Sequence, residues 1–257
     1  MHHPLSNIHP EAKIGENVTI EAFVTVEKDV KIGDGTWVGP NACILAGSRI
    51  GESCEIHSGA VISGKPQDLK YKGEETLTRI GDNTVIREFV TINKGTSDRM
   101  ETVVGSNCLL MAYVHIAHDC LLGDHCIIAN SVQIAGHVEL HDHARIGGTT
   151  AVHQFVKIGA HTMVGGGSLV RKDVPPYIIA AREPLIYSGV NSVGLSRHGF
   201  APERINLIQE AYRLYFLKGN NKTAALQMIE ELDDCEEKKN ILDFIRSSER
   251  GIIKGYH

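Results

Sequence analysis

The stretch VHIAHDCLLGDH, Val114 to His125, carries three histidines and two aspartates in twelve residues. An imidazole can take up a proton near neutral pH, and a neighbouring carboxylate can fix which ring nitrogen does so. His118 and Asp119 are therefore suited to general-base chemistry, most directly the deprotonation of a hydroxyl. Imidazole and carboxylate are also metal ligands. What the pair does depends on what the fold places beside it.

The positioning elements are written in a repeat of six. Blocks counted from Ile8 read IHPEAK, IGENVT, IEAFVT, VEKDVK and onward to VRKDVP. Of the 28 block-opening positions from 8 to 170, 25 are Ile, Leu or Val; the exceptions are Asp68, Glu74 and Asp98. The fifth position of a block is mostly small. An aliphatic first residue and a small fifth suit a short strand followed by a tight corner, so three blocks make one triangular coil. Stacked coils make a parallel β-helix with the aliphatic ladder inside. Cys54, Cys108, Cys120 and Cys126 occupy the small fifth slot and read as buried apolar residues.

A coil of eighteen residues turns neighbourhood into subtraction. The blocks IAHDCL, IAGHVE and VHQFVK open at 116, 134 and 152 and should stack at about 4.8 Å. They gather His118, Asp119, His137, His153 and Gln154 on one wall, with His115 at the preceding position and Gly136 over His118. A glycine there leaves space and an approachable N–H beside the imidazole, which acyl transfer needs for its oxyanion. Adjacent strand residues point to opposite faces, which speaks against contact between His118 and Asp119. A second ladder, His125, His143 and His161, has the same spacing; exposed turn residues are expected there in preference to a metal site.

The repeat loses phase at 63–79 and 93–103, which read as polar loops leaving the prism and able to carry binding groups. Pro175 and Pro176 end it. Helical periodicity follows from about 196. Ile205, Ile208, Tyr212, Tyr215 and Phe216 share one face, and TAALQMIEEL and EKKNILDFIRSS make two more amphipathic helices. The division expected is a β-helix over 1–190 and a helical domain over 191–257 that covers the end of the prism.

A net charge of -5 gives no reason to expect nucleic-acid binding. No apolar run is long enough to span a membrane and no signal-type segment opens the chain, so a cytoplasmic protein without membrane insertion is expected. Six cysteines without a CxxC pair fit a reducing compartment rather than a zinc ribbon or disulfide framework.

The blocks resemble the hexapeptide repeat of left-handed β-helix acyltransferases; the left hand is an expectation from that likeness. At HIAHDC the resemblance narrows to the UDP-N-acetylglucosamine O-acyltransferase family. PQDLKY (66–71), VTINKGT (90–96), AGHV (135–138), GGTTAVHQF (147–155), DVPPY (173–177) and GVNSVGLSRHGF (189–200) carry it along the chain. The resemblance implies transfer of a β-hydroxyacyl chain from acyl carrier protein to the glucosamine 3-hydroxyl of UDP-N-acetylglucosamine, the first step of lipid A biosynthesis. His118 is then the base, Asp119 its support and Gly136 the oxyanion donor. Substrate contacts fall on Gln67, Asp68, Lys70, His115, His137, His153, Gln154, Asn191 and Arg197, and the acyl-length position on Gly166.

No metal or redox cofactor is implied; the acyl group rides on the carrier protein's phosphopantetheine. The family is a homotrimer with sites between prisms, so the 63–79 loop and the His118 wall are expected from different subunits. An acidic carrier calls for local basic surface, for which Lys157, Arg171, Lys172, Arg182, Arg197, Arg204 and Arg213 are candidates. Asn93, Val193 and His198 depart from the usual family pattern. The competing readings are an N-acyltransferase on a 3-amino sugar nucleotide, a zinc enzyme of the γ-carbonic-anhydrase type and a purely structural β-helix.

Overall fold

The computed structural model describes residues 1–219 and 221–255. Its strands are two to five residues long and form three sheets of nine, eight and ten strands, the faces of a triangular prism. The first face runs from Asn7–Ile8 to Leu169–Val170 and the second from Lys13–Ile14 to Lys157–Ile158. The third runs from Thr19–Ile20 to Met163–Val164 and is extended by Ile178–Ala181 and the antiparallel Ile186–Val190. All other pairings between these strands are parallel, and the coil is left-handed, as expected. Block-opening residues point inward: Ile116, Ile128 and Ile134 are fully buried. Cys54, Cys108, Cys120 and Cys126 are free, buried thiols beside them.

Two features of the corners were not visible in the repeat. The fourth residue of the block takes a positive φ at nearly every corner, as at Asn17, Asp29, Asn107, Asp119, His137 and His161. Asn, Asp and His tolerate this left-handed conformation better than other non-glycine residues. The third residue's N–H, apart from that of Lys94, takes no part in the backbone ladder between coils. On the second corner, between the second and third faces, an aspartate of the next coil fills this gap. Asp34, Asp82, Asp124 and Asp142 accept from the N–H groups of Glu16, Glu52, Ser106 and Asp124 at 2.7–2.9 Å.

The loops leave and return within the lattice. Ile62 lies beside Ile92, thirty residues on instead of eighteen, and Ile92 beside Ile116, twenty-four on. The insertions are therefore twelve and six residues, whole blocks, which is why the aliphatic phase survives across them.

The helical region comprises α1 (Ser192–Arg197), α2 (Pro202–Tyr212) with a π-helical continuation over Arg213–Leu217, α3 (Lys222–Glu230) and α4 (Glu236–Ser247). Neither α1 nor the π-helical turn was anticipated. Buried Tyr212 donates to the Pro176 carbonyl at 2.6 Å, Asn240 donates to the Tyr177 hydroxyl at 2.9 Å, and Tyr187 stacks on Phe216 at 4.5 Å. These contacts seat the helices on the last coils. No helix among the described residues is long and apolar enough to cross a membrane.

The His125–His143–His161 ladder differs from the expected row of exposed turn residues. All three take the positive-φ fourth position, which explains their residue type, but only His125 is exposed. The rings stack at 4.6 and 4.5 Å, and α1 brings His198 and the following Phe200 against them. Burial, then His143 and His198, push the His161 pKa down to about 4, and burial likewise lowers His143. In the unfolded chain these rings titrate near 6.5, so on acidification the unfolded state binds protons first. The metal-free protein should therefore lose stability as pH falls from about 6.5 towards 4. Urea unfolding across this range should show a smaller pH slope for His161→Asn; an equal slope in both proteins would contradict this account.

Candidate active site

The first corner, between the first and second faces, carries the wall anticipated from spacing. His115 pairs in register with Gln133, and Ile116 with Ile134 and then Val152. His118 and Gly136 are third-position residues on successive coils, and Asp119 and His137 are fourth-position residues. At a corner the alternation of strand faces does not hold. Asp119 has φ +59°, and its carboxylate meets its neighbour, with His118 Nδ1 at 2.7 Å from Oδ2. The sequence objection to that contact is corrected by this turn.

Asp119 is fully buried and its oxygens are held from several sides. Oδ1 accepts from the Thr96 N–H at 2.9 Å and the Arg99 N–H at 3.2 Å, and Oδ2 from the Thr96 hydroxyl at 2.7 Å. The Asp119 N–H donates to Thr102 Oγ1 at 2.8 Å. Burial alone would raise the carboxyl pKa, but the bonds from Thr96, His118 and Arg99 together hold it below the ordinary value. An ionised carboxylate only accepts, so His118 Nδ1 carries a proton, and in the neutral ring Nε2 presents the lone pair. That lone pair lies over Gly136: a Cβ built there would stand 2.7 Å from His118 Cε1 and 2.8 Å from Nε2. The Gly136 N–H makes no hydrogen bond among the described residues, while Ala135 and His137 donate to Val152 and His118.

His115 and His137 flank the pair. His115 Nδ1 lies 2.8 Å from the Thr91 hydroxyl, and its pKa is lowered by burial and by His118. His137 stacks on Phe155 at 4.4 Å and meets His118 edge-on at 5.1 Å. Its Nδ1 stands 3.1 Å from the Asp98 carboxylate, outside hydrogen-bond geometry. Burial lowers the His137 pKa most, His118 and Arg99 add to that, and Asp119 and Asp98 oppose it.

Gln67, His115, His118, Gln133 and Gly136 line a shallow cleft of about 390 Å³ on the first face. Gln67 thus reaches the wall of its own chain, contrary to the expectation that the loop serves only a different subunit. The reason is topological: the loop rises from Val61–Gly64, which pairs with Thr91–Asn93, which in turn pairs with the His115 strand. A larger hollow of about 670 Å³ lies under α4 beside His141, Tyr177 and Phe244, but it contains no hydrogen-bonded histidine–carboxylate pair.

The remaining sequence candidates are more dispersed. His153 and Gln154 are exposed one coil further along the first corner, with His153 Nδ1 3.1 Å from the Gln154 carbonyl. Asp68 accepts from the Lys70 N–H at 2.9 Å within the loop. Asn191 and Arg197 lie at the second corner, where Asn191 caps α1 and donates to the His161 carbonyl. Gly166 is on the third corner, packed over the Gly148 carbonyl. One chain therefore does not bring Asn191, Arg197 or Gly166 to the His118 corner. Asn93 is buried with an unpartnered Oδ1, and Val193 is exposed. Of the basic candidates, Lys157, Arg171, Arg204 and Arg213 form ion pairs with Glu139, Glu183, Glu237 and Glu210.

Comparison with known proteins gives the same direction as this geometry. The chain matches the family profile described as UDP-N-acetylglucosamine O-acyltransferase, domain 2, over residues 173–253. It matches the bacterial transferase hexapeptide profile over 29–64 and 101–136. It is 52% identical to the acyl-[acyl-carrier-protein]–UDP-N-acetylglucosamine O-acyltransferase of Chlorobaculum parvum, with 96% of this chain and 97% of that one covered. The chain belongs to the UDP-N-acetylglucosamine O-acyltransferase family. It is an acyltransferase. The crystal structure of the Bacteroides fragilis UDP-N-acetylglucosamine acyltransferase superposes with a TM-score of 0.98 at 51% identity, covering 99% of this chain and 100% of that one. The Francisella novicida enzyme gives 0.96 at 37%, covering 99% and 94%.

Sequence reasoning missed Thr96, Arg99 and Thr102 in this acyltransferase; Thr96 and Arg99 reach Asp119 through the fold-back of the second loop, and Thr102 from the strand stacked beneath it. Thr96→Val removes one charge-assisted hydrogen bond to Asp119, of a kind worth about 1.5–3 kcal/mol. It should lower kcat by roughly tenfold or more with the fold intact, read by steady-state assay and circular dichroism. Gly136→Ala should lower activity much further, since His118 cannot keep both its place and its bond to Asp119; wild-type turnover would refute the tight apposition.

Proposed function

We propose that this acyltransferase moves a β-hydroxyacyl chain from acyl carrier protein to the 3-hydroxyl of UDP-N-acetylglucosamine, the first step of lipid A biosynthesis, in the cytoplasm. His118 acts as the general base. The observation that carries the reading is an imidazole fixed as the Nδ1–H tautomer by a buried carboxylate, with Nε2 beside an unused backbone N–H.

His118 Nε2 takes the proton of the sugar hydroxyl as its oxygen attacks the thioester carbonyl carbon. The carbonyl electrons move to oxygen, and the Gly136 N–H donates to that oxyanion. Collapse re-forms the carbonyl and breaks the carbon–sulfur bond. The phosphopantetheine sulfur leaves with the proton held by His118. Asp119 stays ionised and stabilises the imidazolium between the two transfers. No metal or redox cofactor takes part. Both Asp119 oxygens already accept hydrogen bonds, which makes the His118–Asp119–His137 trio a poor cation cage and disfavours the zinc-enzyme reading.

Gln67, His115 and His137 bind the sugar nucleotide and donor around this pair, with Asp68, Lys70, His153 and Gln154 at the edges. Asn191 and Arg197 lie at another corner, so they reach a His118 wall when supplied by a neighbouring prism. That placement supports a homotrimer with sites between subunits. Gly166, which carries no side chain, leaves the far end of the acyl groove open.

His118→Ala should reduce kcat/KM for UDP-N-acetylglucosamine by roughly 10²–10⁴ with any β-hydroxyacyl carrier protein accepted by the wild type. A chain-length series assayed alongside would reveal the preferred donor. Transfer by His118→Ala at the wild-type rate would remove His118 from the role of base. Transfer only to a 3-amino sugar nucleotide would replace the hydroxyl acceptor with an amine.

A further inference from the structure

The contact between the second corner and the helical domain holds a side-chain cluster that the acyl-transfer reading does not use. His143 and His161 stand on successive coils, and His198 reaches them from the C-terminal end of α1. One ligand nitrogen from each of the three lies within 4.8 Å of the other two. His161 Nδ1 is buried and has no hydrogen-bond partner among the described residues. On a corner where aspartates of the next coil cap the N–H groups of Glu16, Glu52, Ser106 and Asp124, a buried imidazole nitrogen left without a partner is an unmet demand. A cation would meet it.

We propose that His143, His161 and His198 form a binding site for a borderline divalent cation of the Zn²⁺ type, which clamps the helical domain to the last coils of the prism. Three imidazoles are a donor set for such an ion, and water completes a tetrahedron. With bonds of about 2.0–2.1 Å the nitrogens would stand roughly 3.3 Å apart. Closing from 4.8 Å requires the near-parallel rings of His143 and His161, now 13° apart in plane, to fan about χ2. That torsion is soft in histidine. The neighbours support the clamp: the His161 carbonyl already accepts from Asn191, the N-cap of α1, and Phe200 closes edge-on over the His161 ring at 5.0 Å. The ion would order the corner that also carries Asn191 and Arg197, and the cluster departs from the sequence expectation of turn residues without metal.

The test uses the full-length chain, stripped with a chelator and titrated with Zn²⁺ by calorimetry, with thermal unfolding in parallel. His198→Arg, which places a cation where the ligand stood on an exposed position, is compared with the wild type after circular dichroism has established its fold. His143→Gln serves as a second variant on the prism side. The wild type should bind one equivalent of Zn²⁺ per chain more than either variant, and its metal-induced rise in Tm should be lost in both. Co²⁺ substitution should give the intense visible bands of a tetrahedral site in the wild type alone. No binding by the wild type, or the same stoichiometry and Tm shift in the variants, would overturn the site, including the case in which Zn²⁺ binds only at the His118 corner.

Discussion

At most corners of this prism one backbone N–H stays out of the ladder between coils, and the organisation of the molecule follows from how those corners deal with it. The second corner meets the demand with a column of aspartates, each accepting from the coil before it. The first corner at Gly136 does not, and there the free donor lies against the imidazole of His118. The same backbone donor is thus capped on one edge and left open beside an imidazole on another.

Holding the His118–Asp119 pair at such an edge requires more than the repeat provides. Asp119 takes the left-handed conformation that the fourth position imposes, which turns its carboxylate towards its neighbour rather than away. The second loop then folds back so that Thr96 and Arg99 close around it. Orientation comes from the corner, and charge stabilisation from the loop. Both sets of contacts are complete within a single chain.

Much of this was legible in the sequence because a β-helix converts distance along the chain into distance in space. The stacking of Ile116, Ile134 and Val152, the burial of the fifth-position cysteines and the apposition of Gly136 to His118 all followed from counting in sixes and eighteens. What counting could not supply came from elements outside the lattice. Thr96 and Arg99 belong to a loop whose length preserves the phase and so hides its path. The His143–His161 column looked like exposed decoration because its cover, His198 and Phe200, comes from a short helix with no periodic signature of its own. The contact between His118 and Asp119 was left open by a rule for strands that does not govern corners.

The unbroken run of blocks from Val104 to Val170 has a further consequence for how the chain can change over generations. Each residue there is indexed to others eighteen places away, so one deletion would turn buried Ile or Val outward in the coils that follow and break the stacking of His118 beneath Gly136. Outward side chains in this segment that neither cap a corner nor line the His118 wall are free to drift, but its length is not. Insertions and deletions in descendants of this sequence should therefore collect in the two loops and the helical region, leaving the coil segment between them at constant length.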